Sequence, residues 1–374
     1  MSQKPTRFKD EIDGIELEYV LASSTIAKLF HMEDKAKEIP YLNTAIPHRI
    51  YLLPGTDEVF KHPLVPKIDE MYEFDLLEIV HVLPYILKGI GSVPYFYGMH
   101  GTGKSSTVDQ LHARLGLPVV RIILGEDSEV IDLGGQMLPT ETGGMRFHDG
   151  LLVQAMRNGW TILIDEYDLL PTRQQKMLNE VMDNRRFTIE ITGEQVTAHD
   201  KWRCCLTANT NNTGTGSSSF VSSGSGDASV NDRFQMLEKH YLAPEKEKKL
   251  LTEYAVLQVK KHPQIKGSLT EPQIVQAYST VVDVMLTVAM RIRKAHEQSM
   301  KSQASMATLE CTISTRSLKR WIAKVIAMNE FFLGATGSLQ REILRDAFKI
   351  SFVNGISADE KDDVLQIFDD SMSV

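Results

Sequence analysis

The sequence predicts an α/β fold in which a doubly wound parallel sheet is followed by an all-helical domain. From about residue 93 to 243, apolar strand-like runs alternate with amphipathic helical segments. This is the pattern of a parallel sheet that is covered on both faces. A glycine-rich loop between the first strand and the first helix matches the phosphate-loop pattern. After Pro244 the apolar periodicity is helical only.

The chain is long enough for three parts. We predict an irregular N-terminal segment over 1–75, a nucleotide-binding α/β domain over 76–243 and a helical lid domain over 244–374. Within the first part, residues 15–30 have helix-like apolar spacing, and five prolines between 40 and 66 break the adjoining stretch into short pieces. The sequence assigns no role to this segment.

Composition and charge restrict the class of protein. The 42% hydrophobic and 24% charged content is ordinary for a globular protein. No run approaches the roughly 18 apolar residues of a membrane span, and the polar N-terminus is unlike a secretory signal. The three cysteines form no CxxC pair, which fits a reducing cytoplasm. The net charge of -8 gives no reason to expect nucleic-acid binding, which depends on clustered Lys and Arg.

The elements of the α/β domain are predicted from buried β-rich runs and amphipathic segments. A packed helix over 74–89 leads into the domain. Strands are predicted at 93–98, 118–124, 161–165 and 202–209, helices at 103–116 and 171–184, and a hairpin at 186–199 with Gly193 near its turn. The stretch between Asn209 and Asn231, dominated by Gly, Ser, Thr and Asn, is predicted to be a mobile loop. Five helices are predicted after it, at about 245–258, 270–297, 316–332, 338–350 and 358–371.

The phosphate loop is Gly98–Ser105, which reads GMHGTGKS and satisfies GxxxxGK[ST]. Its glycines let backbone N–H groups converge on phosphates at the start of a helix, where the dipole favours anions. Lys104 would reach the β- and γ-phosphates, and the Ser105 hydroxyl would ligate Mg²⁺. We assign His100 no catalytic role. The predicted nucleotide-binding residues of this loop are Gly98, His100, Gly101, Thr102, Gly103, Lys104, Ser105 and Ser106.

An apolar strand over 161–165 ends in Asp165, and Glu166 comes directly after it. A parallel strand would deliver Asp165 to its carboxyl end, beside the phosphate loop, where it can hold the Mg²⁺ shell. Glu166 is then placed to polarise the attacking water. The alternative is an acidic pair that caps the following helix.

Three further polar residues are candidates by their order along the chain. Asn209 ends the next strand and could hydrogen-bond the γ-phosphate and the lytic water, although an Asn there can also be a turn residue. Arg233 has the fork that suits a transferring phosphoryl group and would act on a neighbouring subunit; its alternative is a surface pair with Asp232. Arg316, at a helix start in the second domain, is a candidate γ-phosphate sensor. The absence of an NKxD guanine signature favours ATP.

These motifs resemble the AAA+ superfamily, in the group of MoxR-type ATPases, and within it the branch of CobS, the ATPase subunit of aerobic cobaltochelatase. The phosphate-loop, acid-strand and strand-end motifs resemble AAA+ in general, and IDEYD, HGTGK and IDLGG resemble the CobS-like branch. The residues that carry the likeness are 98–122, 131–135, 147–168, 206–210 and 232–234, with a weaker match at 65–75.

The resemblance implies an ATP- and Mg²⁺-dependent ring, expected to be a hexamer, with Arg233 reaching across the subunit interface. It also implies two insertions, at about 131–149 and 186–199, that face the pore or partners. CobS-like proteins work with a von Willebrand A domain protein and with a large chelatase subunit that inserts Co²⁺ into a corrin precursor.

Three functions stay open at this point. The chain could be a cobaltochelatase-type ATPase subunit, or a MoxR-type remodelling chaperone that acts on another protein assembly with a von Willebrand A partner. Both use the same site chemistry. A non-catalytic nucleotide-dependent scaffold is the third, and Glu166, Asn209 and Arg233 argue against it because a scaffold needs no activated water.

Overall fold

The chain divides into two compact units, each with its own core. The computed structural model describes residues 6–12, 15–123, 129–140, 143–211, 232–261, 270–301, 309–332 and 341–372. The first unit comprises Met1–Gly98 and Gly103–Lys239, and the second comprises Met99–Thr102 and His240–Val374. Most of the loop predicted between Asn209 and Asn231 lies outside the described residues.

The N-terminal segment forms a three-stranded antiparallel sheet, so the prediction of an irregular segment is wrong. Its strands are β1 (Arg7–Ile12), β2 (Ile15–Thr25) and β3 (Ala45–Leu52), in the order β1-β2-β3, with the short helix α1 (Ile26–Leu29) after β2. The helical interpretation of 15–30 is wrong for β2. Leu17 and Tyr19 are buried between more exposed neighbours, and this period of two, completed by pairing on both sides, is that of a strand.

A five-stranded parallel sheet forms the centre of the first unit, as predicted. In chain order the remaining strands are β4 (Val93–Tyr97), β5 (Val119–Ile123), β6 (Gly135–Pro139), β7 (Met145–Asp149), β8 (Thr161–Asp165), β9 (Arg186–Thr188), β10 (Gln195–Thr197), β11 (Arg203–Ala208) and β12 (Phe234–Glu238). The parallel sheet has the order β12-β4-β11-β8-β5. The carboxyl ends of β4, β11 and β8 are therefore adjacent, with β11 in the middle.

Helices cover both faces of this sheet, which makes it doubly wound. They are α2 (Leu76–Lys88), α3 (Lys104–Leu115), α4 (Leu151–Asn158) and α5 (Thr172–Asn184). One core joins α2 and α3 to the sheet through Phe96, Leu163 and Cys205. The other joins α4 and α5 to the opposite face through Tyr95, Ile164 and Cys204, among others. Strands buried on both faces explain the nearly continuous apolar runs at 161–165 and 202–209.

A buried histidine ties α3 to the start of β8. The ring of His112 has one nitrogen 2.7 Å from the carbonyl oxygen of Val108 and the other 2.8 Å from the Thr161 hydroxyl. Burial lowers the pKa of His112 to about 4, so the ring is neutral near pH 7. Its role is to hold the phosphate-loop helix against the sheet.

Both predicted insertions contain paired strands. Strands β6 and β7 pair antiparallel from Gly135↔Asp149 to Pro139↔Met145, and β9 and β10 pair from Arg186↔Thr197 to Thr188↔Gln195. The first pair was not predicted as a hairpin. Met137, Leu138 and Met145 are exposed on it, and Ile191 is exposed at the turn of the second.

The second unit is helical, as predicted. Its helices are α6 (Pro244–Lys261), α7 (Glu271–Lys301), α8 (Thr315–Phe332), α9 (Arg341–Ser351) and α10 (Lys361–Ser371). Glu271–Ser299 is long and apolar enough to cross a membrane by length and composition. However, Val282, Met285, Ala289 and Ile292 of this helix are buried in the core of the unit beside Trp321, as expected of a core helix.

Candidate nucleotide site

The glycines of the phosphate loop allow backbone geometry that other residues would not. Gly98 comes directly after β4 with φ of 141°, and a Cβ atom there would lie 2.2 Å from the carbonyl oxygen of Lys239. Gly103 has φ of 91° and immediately precedes α3. A side chain at Gly98 would collide with backbone, and one at Gly103 would strain the turn. The loop is therefore held close to β12 and opens directly onto the N-terminus of α3, with Ser106 exposed in the first turn.

Lys104 lies back across its own loop and connects two strand ends. Its Nζ donates to the carbonyl oxygen of Gly98 at 2.7 Å and to Oδ1 of Asn209 at 3.0 Å. Asn209 directly follows β11, which lies beside β4 in the sheet. The structure therefore brings together the predicted phosphate lysine and the predicted polar strand end, 105 residues apart. An ammonium and a side-chain amide at this edge are suited to binding a terminal phosphate.

Ser105 and Asp165 form the predicted metal-binding pair. The Ser105 hydroxyl lies 2.8 Å and 3.0 Å from the two carboxylate oxygens of Asp165, and the Thr207 hydroxyl donates to the same carboxylate. A hydroxyl beside a carboxylate fits Mg²⁺, which takes few protein ligands and completes its shell with water and phosphate oxygens. Among the residues that the structure describes, no group of three or more His, Cys, Asp or Glu could hold a metal ion, which agrees with this sparse type of site.

Arg121 adds a positive charge that the sequence did not indicate. It lies on β5, with its Nε 3.9 Å from Oδ2 of Asp165, and it also pairs with Asp109. Burial raises the pKa of Asp109, an effect that Arg121 opposes. The carboxylate of Asp165 therefore lies in a field shared by one arginine and a second acid.

Glu166 has an unusual backbone and an uncommitted side chain. Its φ is 58°, in the left-handed region, where residues other than glycine are uncommon. Its carboxylate is half-buried, and over the described ranges it makes no hydrogen bond or ion pair. The alternative that Glu166 serves as a helix cap has no support, because α5 has no side-chain cap. A carboxylate without a structural partner beside the metal pair is what activation of water requires.

Two residues of the site were missed by sequence reasoning. Thr207 reaches Asp165 from β11, and Asp168 accepts hydrogen bonds from the backbone of Asn209 and Thr210. Both contacts join residues about forty positions apart, so no local pattern marks them. The only available signal was the second acid in IDEYD, which reads as an ordinary turn residue.

Arg233 lies immediately before β12 and forms an ion pair with Asp183 of α5. The pairing with Asp232, which was the alternative considered from the sequence, is replaced by this longer-range contact. About half of the side chain is exposed. An exposed pair of this kind contributes little to stability, so Arg233 is free to exchange Asp183 for a phosphate of a neighbouring subunit at small cost.

The remaining predicted residues belong to the second unit. Thr102 donates to the carbonyl oxygen of Met99 at 2.9 Å, and Tyr241 donates to that of His100 at 3.2 Å. Gly101 has φ of 73°. Arg316 is exposed in the first turn of α8. The structure describes these positions only within their own unit.

A buried ion pair fixes the start of the helix that carries Arg316. The Glu247 carboxylate, 1% exposed, receives Arg293 in a two-pronged pair at 2.7 Å and 3.0 Å and the Thr315 hydroxyl at 2.6 Å. Arg293 also lies over the ring of Tyr241. Two parallel bonds and a hydroxyl satisfy the buried charge, so the first residue of α8 is held in one position.

Comparison with known proteins agrees with this geometry. Residues 95–223 match the family model of the AAA domain, dynein-related subfamily. The chain is 30% identical to the aerobic cobaltochelatase subunit CobS of Sinorhizobium sp over 150 residues, which cover 39% of this chain and 45% of CobS. It is 29% identical to CbbQ of Hydrogenophilus thermoluteolus over 144 residues, covering 38% and 49% of the two chains.

A third relative is much larger. Midasin of Dictyostelium discoideum is 33% identical over 113 residues, which cover 30% of this chain and 2% of midasin. The chain therefore spans about half or less of each of these relatives. What the comparisons establish is an AAA+ ATPase domain related to MoxR-group proteins, which uses ATP and Mg²⁺.

Proposed function

We propose that this chain is the motor subunit of a cytoplasmic ring, expected to be a hexamer, which couples ATP hydrolysis to remodelling of a partner. The observation that carries the proposal is Glu166. Its uncommitted carboxylate stands beside the Ser105–Asp165 pair, at the sheet edge where Lys104 meets Asn209. A scaffold that only binds nucleotide would need the lysine and the hydroxyl but not this carboxylate.

Each residue of the site has a definite part in hydrolysis. The backbone of the phosphate loop and Lys104 hold the β- and γ-phosphates. Ser105 and Asp165 hold Mg²⁺, which neutralises charge on the phosphate oxygens when bound. Glu166 accepts or orients the proton of the attacking water, and Asn209 positions that water against the γ-phosphate. The chemistry is that of positioning and electrostatic stabilisation.

The ring is inferred from the proposed part of Arg233. Its half-exposed guanidinium, paired only through a surface carboxylate, would act on the nucleotide of the next subunit. Arg316 would sense the γ-phosphate from the helical unit, on a helix whose start is fixed by Glu247. ATP at a subunit interface makes hydrolysis dependent on the neighbour, which is how such rings transmit work.

The identity of the partner separates two candidates. Similarity to CobS favours a cobaltochelatase-type assembly, in which the ring works with a von Willebrand A domain protein and a large chelatase subunit. Similarity to CbbQ at nearly the same identity, 29% against 30%, favours the alternative, a MoxR-type chaperone that remodels a different protein assembly. We place the CobS-like function first because IDLGG and the HGTGK loop resemble that branch.

Capture of the engaged complex tests the proposal. The Glu166→Gln variant should bind ATP but hydrolyse it slowly, so that a partner engaged in the ATP state is trapped. We expect affinity capture from the native cell, with ATP present, to recover a von Willebrand A domain protein and a large chelatase subunit, as identified by mass spectrometry. The matched control is Lys104→Ala, which should not reach the ATP state.

The outcomes are distinct. Enrichment of the chelatase components over the Lys104→Ala control supports the CobS-like function. Enrichment of a different assembly with a von Willebrand A protein overturns that assignment in favour of the chaperone. Identical recoveries from the two variants contradict an ATP-driven remodelling function altogether.

A further inference from the structure

Asp168 is a buried acid that lies outside the predicted catalytic set. It is 2% exposed and belongs to the single turn of 3-10 helix, Tyr167–Leu169, that comes after Glu166. Its Oδ2 accepts three hydrogen bonds, from the backbone N–H of Asn209 at 3.0 Å and from the N–H and hydroxyl of Thr210 at 2.9 Å and 3.0 Å. No other carboxylate oxygen in the described part of the nucleotide site accepts backbone N–H donors in this way.

These contacts take over where the sheet ends. The pairing of β11 with β4 runs to Ala208↔Tyr97, and its pairing with β8 runs to Leu206↔Ile164. The N–H groups of Asn209 and Thr210 therefore have no partner in the sheet and need another acceptor. Bonds to an ionised carboxylate are stronger than neutral ones, so Asp168 fixes the chain where the strand pairing no longer does.

A second contact holds the same segment from its other side. The Tyr95 hydroxyl donates to the carbonyl oxygen of Thr210 at 3.1 Å. The peptide groups on both sides of Asn209 and Thr210 are thus tied down, one to β4 and one to the turn after β8. Since Oδ1 of Asn209 accepts from Lys104 at 3.0 Å, the position of the backbone decides whether this amide meets the lysine.

The turn that carries Asp168 also carries Glu166. Two backbone hydrogen bonds close it, from Leu169 to Glu166 at 3.0 Å and from Leu170 to Tyr167 at 3.2 Å. Gln175 and Asn179 of α5 anchor it from the interior. One rigid turn therefore presents one carboxylate towards the metal pair and uses the other to grip the neighbouring strand end.

We infer that Asp168 is a positioning residue for ATP hydrolysis, which sets Asn209 in register with Glu166 and Lys104. This inference rests on the proposed hydrolytic function of the site. A merely structural role for Asp168 predicts loss of stability alone. A positioning role predicts that the loss of activity passes through the side chain of Asn209.

A double-mutant cycle in steady-state ATP hydrolysis separates the two roles. Asp168→Asn keeps the shape and one acceptor oxygen but removes the charge. We expect its kcat to fall by about 10-fold to 100-fold, the range found for residues that orient a functional group, with KM for ATP within about threefold of wild type. In an Asn209→Ala background, the same substitution should change kcat by less than about twofold. Asp283→Asn, on an exposed pair with Lys248, serves as the charge-matched control.

An equal fold-loss from Asp168→Asn in both backgrounds would overturn the inference and leave the hydrolytic function standing. An unchanged kcat for Asn209→Ala alone would overturn both the inference and the proposed part of Asn209. If Asp168→Asn does not fold, Thr210→Val replaces it, because this substitution removes one of the three donors and leaves the turn intact. It should lower kcat in the wild-type background and not in Asn209→Ala.

Discussion

Replacing Glu166 by Gln should slow ATP hydrolysis by at least about 100-fold, the lower part of the range for loss of a general base. The amide cannot accept the proton of the attacking water. Because the Glu166 carboxylate makes no hydrogen bond or ion pair to another described residue, its replacement should not disturb the fold. We therefore expect an affinity for ATP within about threefold of wild type. Steady-state phosphate release and equilibrium binding of labelled ATP measure the two quantities.

The control for this substitution is Glu194→Gln, which changes an exposed carboxylate paired with Arg157. It should leave both quantities unchanged. A Glu166→Gln enzyme that hydrolyses ATP at the wild-type rate would show that another group activates the water, and the proposed mechanism would be wrong.

Replacing Arg233 by Ala should depress hydrolysis by about 10³-fold or more, as loss of an arginine finger does. If Arg233 acts on the next subunit, activity should also return by complementation. Subunits with Arg233→Ala keep a complete phosphate site, and subunits with Glu166→Gln keep the arginine. In rings mixed at equal ratio, half of the former would face a finger-bearing neighbour, so about a quarter of wild-type activity should reappear.

Two results test this arrangement. Arg233→Ala subunits mixed into wild-type rings should lower their activity, whereas Arg233→Lys keeps the charge opposite Asp183 and loses only the fork. If the mixture of Arg233→Ala with Glu166→Gln stays inactive while both subunits enter the same rings, Arg233 does not act across an interface. Indifference of wild-type rings to Arg233→Ala subunits would contradict the prediction equally.

The parallel sheet and the phosphate site were predictable because their signals are local. The run from Thr161 to Asp165 is apolar and β-rich, and the turn and helix start at Gly98–Ser105 are dictated by glycines and a lysine in fixed spacing. Order along the chain then sufficed to place Asp165, Glu166 and Asn209 at one sheet edge, since parallel strands end on the same side.

The N-terminal sheet was not predictable in the same way. Strand β2 pairs with β3 from Glu18↔Leu52 to Thr25↔Ala45, so its stability comes from residues about twenty or more positions away. In isolation its apolar residues also fit a helical spacing. The long-range pairing decides between the two, which is the usual way in which tertiary contacts override local preference.

The same limit applies to the polar contacts of the site. Asp168 meets Thr210, and Arg233 meets Asp183, across 42 and 50 positions. An acid or an arginine reads alike in sequence whether it faces water or another strand. Only the fold decides which of them becomes a positioning residue.

The central claim, that this site hydrolyses ATP, is tested most directly by Mg²⁺-dependent phosphate release from ATP by the purified protein, compared with that of its Lys104→Ala variant. Wild type should show saturable turnover that requires Mg²⁺, and the variant should show none above background at the same thermal stability. Equal turnover in both proteins, or tight ATP binding by wild type without turnover in the assembled ring, would contradict the claim.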